Sequence, residues 1–179
     1  MPKVIENVRE QLLTEARKQI SEQGYAPTTM RSIAKACGVA VGTIYNYFPS
    51  KEMLIATFVA EDWHRRMESL REEAPQSAED ILRKIYDTLR TFSAEHAALF
   101  ADPEAKKAFS AIFSVRHPML RDQLAALILP VCGEAENPAF LSSFLAEALL
   151  TWTMAGVPFD ELFSLLGKLT RSETENPQE

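Results

Sequence analysis

Apolar residues recur at intervals of three and four along most of the chain, the spacing that places them on one face of an α-helix. The first such stretch covers about residues 4–23, and its apolar stripe consists of Leu12, Leu13, Ala16 and Ile20. Gly24 follows and predicts the helix end, because glycine adopts the left-handed conformation of a helix terminus without steric cost. No segment shows the strong alternation of a half-buried strand, so the pattern predicts an all-α fold.

Further helical segments follow beyond residue 50. They are predicted at about residues 50–73, 77–99, 103–113, 119–131, 139–155 and 158–169. His117-Pro118 is expected to break the helical pattern, since proline removes a helix hydrogen bond. The chain is therefore expected to consist of an N-terminal three-helix head at 1–49, a C-terminal helical bundle at 50–170 and a polar tail at 171–179.

Two short helices are predicted between residues 28 and 51, which read TTMRSIAKACGVAVGTIYNYFPSK. Thr29 can cap the first helix, and Gly38 can end it in a left-handed conformation. A second helix at about Val41–Tyr47 would bury Ile44. Two short helices joined by a tight turn with glycine form the helix-turn-helix, which places its second helix in the major groove of DNA.

The second of these helices presents groups that can bind DNA. Hydroxyl and amide groups for phosphates or base edges are supplied by Thr43, Tyr45, Asn46 and Tyr47. Lys51 begins the next helix, where a positive charge is unfavourable unless an anion such as a phosphate lies nearby. Arg31 and Lys35 either meet phosphates or form a solvated face. The two tyrosines could equally be ordinary half-buried aromatic residues.

This segment resembles the tetracycline-repressor (TetR) family of transcription regulators over about residues 8–58. The resemblance is carried by Leu12, Leu13, Ala16, Ile20, Gly24-Tyr25, Thr28-Thr29, Ile33-Ala34, Gly38-Val39, Gly42-Thr43-Ile44-Tyr45, Tyr47-Phe48, Lys51, Glu52 and Leu54. It implies a head of three helices that binds DNA and a dimerising domain whose interior binds a small molecule. The positions implied to contact phosphates are Thr29, Thr43, Tyr45, Tyr47 and Lys51. Those implied to lie on or beside base-reading positions are Val41, Gly42 and Asn46.

The chain departs from the family pattern at two positions. Ala40 stands where serine or threonine usually caps the recognition helix, and the missing cap should cost about 1 kcal/mol of helix stability. Val41 stands where a polar residue is frequent. Its side chain could contact a thymine methyl group or give up one base contact.

Net charge is distributed unevenly along the chain. The total is −6, yet residues 1–52 carry seven Lys or Arg and five Asp or Glu, a net charge of +2, so the remainder carries −8. The basic excess therefore lies with the helix-turn-helix, while the acidic remainder would repel DNA and help to orient the molecule. An excess of +2 predicts DNA binding that is sensitive to salt without depending on charge alone.

Other features narrow the function and the location. No run of about eighteen uncharged apolar residues predicts a membrane span, and charged residues among the first ten are not typical of a signal peptide. Cys37 and Cys132 are far apart without metal-binding spacing, which suits the cytoplasm, and no metal or cofactor is expected. The motifs of metalloproteases, phosphate loops and serine hydrolases are absent from the sequence, so an enzyme is not expected. The alternative is a DNA- or protein-interaction module without ligand control.

The last two predicted helices are apolar on more than one face. Either they form the centre of a monomeric core, or they pair with a second subunit in a four-helix interface. The expected interface residues are Phe140, Phe144, Leu149, Trp152, Phe159, Phe163 and Leu166. A homodimer is favoured, because two recognition helices could then read a palindromic operator.

A small, largely apolar effector is expected to bind between the C-terminal helices. The candidate contacts are Trp63, Met67, Tyr86, Leu89, Phe92, Phe109, Phe113, His117 and Trp152. Aromatic residues and methionine at helical spacing are also typical of an ordinary core, so this alternative stays open.

Overall fold

A computed structural model describes residues 7–72, 76–133 and 135–170, without the side chains of 111–115. These residues form nine α-helices and one 3-10 turn, with no strand among them, which confirms the predicted all-α class. The helices are α1 (Val8–Gln23), α2 (Met30–Ala36), α3 (Val41–Tyr47), α4 (Lys51–Glu72), α5 (Ala78–Glu95), α6 (Ala97–Ala101), α7 (Pro103–Ile128), α8 (Pro138–Met154) and α9 (Phe159–Leu169). The 3-10 turn spans Leu129–Cys132. The predicted tail at 171–179 lies outside the described residues.

The helices fold into two compact units. The first contains the described residues through Arg65 together with Glu95–Ala111, and the second contains Arg66–Ala94 and the described residues from Ile112 onward. Helices α4 and α7 each contribute to both units. This grouping follows packing, whereas the division at residues 49 and 50 concerns function and stays a prediction.

The core of the first unit is built from the apolar stripe of α1 and from the inward faces of α2 and α3. Leu12, Ile33 and Ile44 are fully buried, and Phe48 is 4% exposed. Removing an aliphatic side chain of this size from water contributes about 1.5–3 kcal/mol. Burial of these residues confirms the predicted inward faces and holds the three short elements together.

The second unit is organised around α5, α8 and α9. Helix α5 buries Ile81, Leu82, Ile85, Tyr86 and Leu89. The Tyr86 hydroxyl donates a hydrogen bond of 3.0 Å to the Val157 carbonyl, and the Tyr86 ring meets the edge of Phe159 at 5.3 Å between centroids. This tyrosine therefore ties α5 to the start of α9. Over the described ranges, none of the helices has both the length and the apolar character that a membrane crossing needs.

The prediction that one helix runs from residue 77 to 99 was wrong at its C-terminal end. Helix α5 ends at Glu95, and His96 departs from helical geometry with φ −102° and ψ 14°. The His96 carbonyl then accepts hydrogen bonds from the backbone N–H groups of Leu99 and Phe100, which start α6. Apolar spacing continues across this point, so the sequence pattern does not mark the change of direction.

The predicted break at His117-Pro118 was also wrong, because α7 continues through Pro118 for 26 residues. A proline inside a helix removes one backbone hydrogen bond and costs about 3 kcal/mol. Burial on both sides offsets this cost, since Phe109 is buried in the first part of α7 and Leu124 and Ile128 are fully buried after Pro118. Tertiary packing of the flanking turns therefore outweighs the local preference.

We predict that Ala40→Ser will raise the free energy of unfolding by about 1 kcal/mol. Ala40 is the N-cap of α3 and has the extended backbone of a capping residue, φ −66° and ψ 146°, but no side-chain acceptor. A serine hydroxyl at this position can accept from a backbone N–H in the first turn. Urea denaturation measures the change.

The control is Ala36→Ser, which places the same hydroxyl on the exposed last residue of α2. No gain is expected there because serine inside a helix competes with the backbone hydrogen bonds. Equal effects of the two substitutions would contradict a capping role for position 40.

Candidate nucleic-acid interface

Helix α2 begins at a fully formed capping box. The Thr29 hydroxyl oxygen accepts from the Ser32 backbone N–H at 3.0 Å, and the Ser32 hydroxyl oxygen accepts from the Thr29 backbone N–H at 3.0 Å. Ser32 also donates to the Gln19 side-chain oxygen on α1 at 2.6 Å. These bonds confirm the predicted cap at Thr29 and fix the start of α2 on α1.

The turn between α2 and α3 depends on Gly38. Its φ of 67° lies in the left-handed region, and its N–H donates to the Lys35 carbonyl at 3.1 Å. The next N–H, of Val39, donates to the Ala34 carbonyl at 3.0 Å. Two carbonyls at the end of α2 are thereby satisfied while the chain reverses into α3, as the sequence predicts.

Helix α3 is sharply divided between a buried and an exposed side. Ile44 is fully buried, whereas Val41, Tyr45 and Tyr47 are 37%, 51% and 46% exposed. Gly42 and Asn46 are exposed as well, and Thr43 is half-buried. Large apolar rings on the surface of a seven-residue helix leave it with a face that suits a binding partner.

The remaining residues predicted to bind DNA lie on neighbouring elements of the same unit. Thr29 is exposed at the start of α2, and Arg31 and Lys35 are exposed along it. The structure thus gives a polar, partly basic surface over α2 and α3. Which of these residues contact phosphates or bases stays a prediction.

Lys51 has partners within the chain. Its ammonium group donates to the Tyr25 carbonyl at 2.9 Å and lies 3.6 Å from the centre of the Tyr25 ring. Burial lowers the pKa of Lys51, and the nearby carboxylates of Glu52, Glu104 and Asp102 act in the opposite direction. A phosphate is therefore not needed to explain a lysine in the first turn of α4, although the ammonium group has three donors.

Tyr25 also fixes the carboxylate next to Lys51, a role that the sequence pattern does not indicate. Its hydroxyl donates to Glu52 Oε1 at 2.8 Å, and its ring meets the edge of Phe109 at 6.0 Å. Burial and the Glu52 carboxylate raise the pKa of Tyr25 far above its usual value. Burial opposes ionisation of Glu52, but hydrogen bonds from Tyr25, from its own backbone and from Ser50 hold the pKa of Glu52 below its usual value.

The candidate effector contacts are divided between the two units. Trp63 and Phe109 are buried in the first unit, and Met67, Tyr86 and Leu89 are buried in the second. Half-buried Phe92, in the second unit, has the Arg66 guanidinium 5.8 Å from its ring centre. The side chain of Phe113 lies outside the described residues.

Two further candidates, His117 and Trp152, are exposed in the single chain. The His117 ring nitrogen lies 2.9 Å from a Glu147 carboxylate oxygen, and this contact lowers the pKa of Glu147. Trp152 is 52% exposed. Neither side chain is enclosed within its own chain, so an effector contact at either position stays a prediction.

The residues predicted at the dimer interface separate by burial. Phe140, Phe144 and Trp152 are 68%, 47% and 52% exposed, and Phe163 is half-buried. In contrast, Leu149, Phe159 and Leu166 are at most 7% exposed within the single chain and have little free surface for a partner. The exposed apolar residues that the sequence did not single out are Met154, Leu165 and Leu169.

We predict that Tyr25→Phe will lower the free energy of unfolding by about 1 kcal/mol at pH 7, because the half-buried Glu52 carboxylate loses its hydroxyl donor. A carboxyl group with a depressed pKa stabilises the fold above its unfolded pKa, and this stability is lost as pH falls through the folded value. The loss caused by the substitution should therefore shrink as pH falls below the ordinary Glu pKa of 4.5. Urea denaturation across pH measures both effects.

The matched control is Tyr47→Phe, which removes the hydroxyl of an exposed tyrosine on α3. It should leave stability unchanged at each pH. A Tyr25→Phe effect that is independent of pH would show that the hydroxyl does not act through Glu52.

Comparison with known proteins identifies the head. Residues 12–57 match the family described as "Bacterial regulatory proteins, tetR family". Over 64 residues the chain is 38% identical to the HTH-type transcriptional regulator UidR of Escherichia coli strain K12, covering 36% of this chain and 33% of that protein. It is 33% identical over 107 residues to the HTH-type transcriptional repressor KstR of Rhodococcus jostii strain RHA1, covering 54% of this chain and 50% of that protein. The chain thus spans between a third and a half of these relatives.

The likeness in three dimensions extends further along the chain. A crystal structure of a TetR/AcrR-family transcriptional regulator from Thermobifida fusca YX-ER1 aligns with a TM-score of 0.61, covering 90% of this chain and 95% of that one. Its sequence identity is 22%, so this match shows a common fold. With the family match over the three-helix head and the shared fold over most of its length, the chain belongs to the tetR family of bacterial regulatory proteins.

Proposed function

We propose that the protein is a sequence-specific DNA-binding transcription regulator that acts in the cytoplasm as a homodimeric repressor. The observation that carries this proposal is the division of α3, which buries Ile44 in the head and leaves Val41, Tyr45 and Tyr47 exposed. A helix held by its inner side can enter the major groove with its outer side. The name of the relative KstR as a transcriptional repressor supports repression as the outcome.

The exposed groups suit two different tasks. The hydroxyls of Thr29, Thr43, Tyr45 and Tyr47 suit phosphate oxygens, and Arg31 and Lys51 add charge. Phosphate contacts position the protein but do not read sequence. Base reading then falls to the residues around Asn46, whose amide can pair with adenine, and to Val41, whose methyl groups can meet thymine. Gly42 lets the start of α3 approach the duplex closely.

A dimer is supported by an apolar stripe that follows α8 and α9. Phe140, Phe144 and Trp152 are spaced by multiples of four residues on α8, and Leu165 and Leu169 are four apart on α9. All five are exposed in the single chain. Residues four apart share one helix face, so each helix presents a continuous apolar surface beyond the core that it already packs against. A second copy covers this surface most simply, because a two-fold axis places equivalent patches together.

The proposed effector is a small, largely apolar molecule that releases the repressor from DNA. The buried side chains of Met67, Tyr86 and Leu89 in the second unit supply apolar surface of the kind that lines such sites. A ligand changes an equilibrium only by its differential affinity for the two states. A nearly complete switch requires about 10⁴-fold tighter binding to the state that does not bind DNA.

We predict that Asn46→Ala will change which operators are preferred, because it removes the amide that we assign to a base edge. Selection from a random duplex pool should show relaxed preference at one position, with a loss of about 1–3 kcal/mol on the best site. Lys51→Gln should instead weaken binding to all duplexes and reduce the salt slope by about one. Titrations at several salt concentrations measure both effects.

The comparison between the two variants is the control, since both lie in the head and only one is assigned to bases. An Asn46→Ala protein that retains the wild-type sequence preference would remove the base-reading assignment. Wild-type binding that disappears in excess random DNA would favour an interaction module without sequence specificity.

We predict that Phe144→Glu will convert the dimer into a folded monomer. Phe144 is 47% exposed in the single chain, so a charge there leaves the core intact and is buried only when the subunits associate. Light scattering measures the mass, and circular dichroism measures helix content.

The matched control is Met53→Glu, which introduces the same charge at a 48% exposed apolar residue on α4. This variant should stay dimeric. If Phe144→Glu also stays dimeric, the interface lies elsewhere.

A further inference from the structure

Two charge pairs connect α1 to α4 where the helices cross. Arg9 on α1 contacts the Glu61 carboxylate at 2.6 Å, and Arg17 contacts Asp62 at 2.9 Å. Glu61 and Asp62 are neighbours on α4, while the two arginines lie about two turns apart on α1. Two separated attachment points resist rotation of one helix on the other, which a single pair cannot do.

Asp62 is the buried centre of this connection. Its side chain is 6% exposed, and Oδ1 contacts both Arg17 and Arg65. Oδ2 lies 3.2 Å from Nε2 of His96, which is itself 5% exposed and stacks on Phe58 with 6.0 Å between ring centroids. The carboxylate therefore joins three elements of the first unit: α1, α4 and the turn between α5 and α6.

A buried carboxylate is costly unless it is paired, and removing one partner leaves an uncompensated charge. Replacing buried ion pairs with apolar residues is often neutral or stabilising, so stability alone does not account for such a cluster. Charge pairs with fixed geometry do restrict orientation. The apolar contacts around the crossing, such as Leu12 and Phe58, are less directional than Arg17–Asp62.

We propose that Asp62 is a positioning residue that fixes the three-helix head on α4 and thereby sets how well one dimer engages two half-sites at once. This inference rests on the proposed function as a dimeric DNA-binding regulator. Once one head is bound, the second binds at an effective concentration set by the geometry and stiffness of its attachment. A firmly held head keeps that concentration high at the correct spacing, and a loose head spreads it over many orientations.

The test compares affinity for a palindromic operator with affinity for a duplex that carries a single half-site. Asp62→Asn keeps the size of the side chain and removes its charge. We expect binding to the half-site to change by less than about twofold, while the ratio of palindrome to half-site affinity falls about tenfold. Merely reduced folding would lower both affinities together and leave their ratio unchanged.

Variants of Arg17 keep the test decisive if Asp62→Asn folds poorly. The Arg17 side chain is 43% exposed, so Arg17→Gln breaks the pair from its solvent side. Arg17→Lys retains the charge and should restore most of the ratio. The matched control is Lys18→Gln, which removes one positive charge from the adjacent exposed position of α1 and should weaken both duplexes equally.

Each outcome has one consequence. A lowered ratio in Arg17→Gln, restored in Arg17→Lys and absent in Lys18→Gln, supports the inference. An unchanged ratio in folded Arg17→Gln, or an equal fall in Lys18→Gln, overturns it while the proposed function stands. A wild-type protein that binds the palindrome no better than the half-site refutes the dimeric reading of DNA itself, and the inference with it.

Discussion

The insertion of Ile44 into the core of the head is the contact on which the proposed recognition surface depends. Helix α3 has seven residues, too few to be stable in isolation, since helices shorter than about 12–15 residues are marginal in water. It also lacks a side-chain cap at Ala40. Burial of Ile44 between α1 and α2 therefore holds α3 in place, and its outer face is presented only because its inner face is anchored.

Polar contacts around this core are more specific than its apolar contacts. The Tyr25 hydroxyl holds Glu52, and the Tyr25 carbonyl and ring hold Lys51, so one aromatic residue orders the first turn of α4. Asp62 orders the same helix three turns later through Arg17. Buried charges need partners in defined directions, whereas apolar side chains tolerate many arrangements. The orientation of the head on α4 is accordingly fixed by charge pairs laid over a hydrophobic contact.

Much of the fold could be predicted from the sequence because helices leave a local signature. The period of apolar residues marked α1, and Thr29 and Gly38 marked the bounds of α2 through capping and left-handed geometry. The limits of α3 were predicted correctly for the same reason. Pro118 and His96 gave the wrong result, since a proline was tolerated where burial continued on both sides and a helix ended within an unbroken apolar pattern.

The sequence by itself determined the helical class, the helix-turn-helix and the exposed face of α3, since each follows from residues within a few positions of one another. Only the tertiary structure decided which apolar residues of α8 and α9 remain exposed, and it buried Leu149 while exposing Leu165. It also brought Arg17, Asp62 and His96 together across 79 residues of chain. Such contacts depend on the crossing of whole helices, and local spacing carries no record of where helices cross.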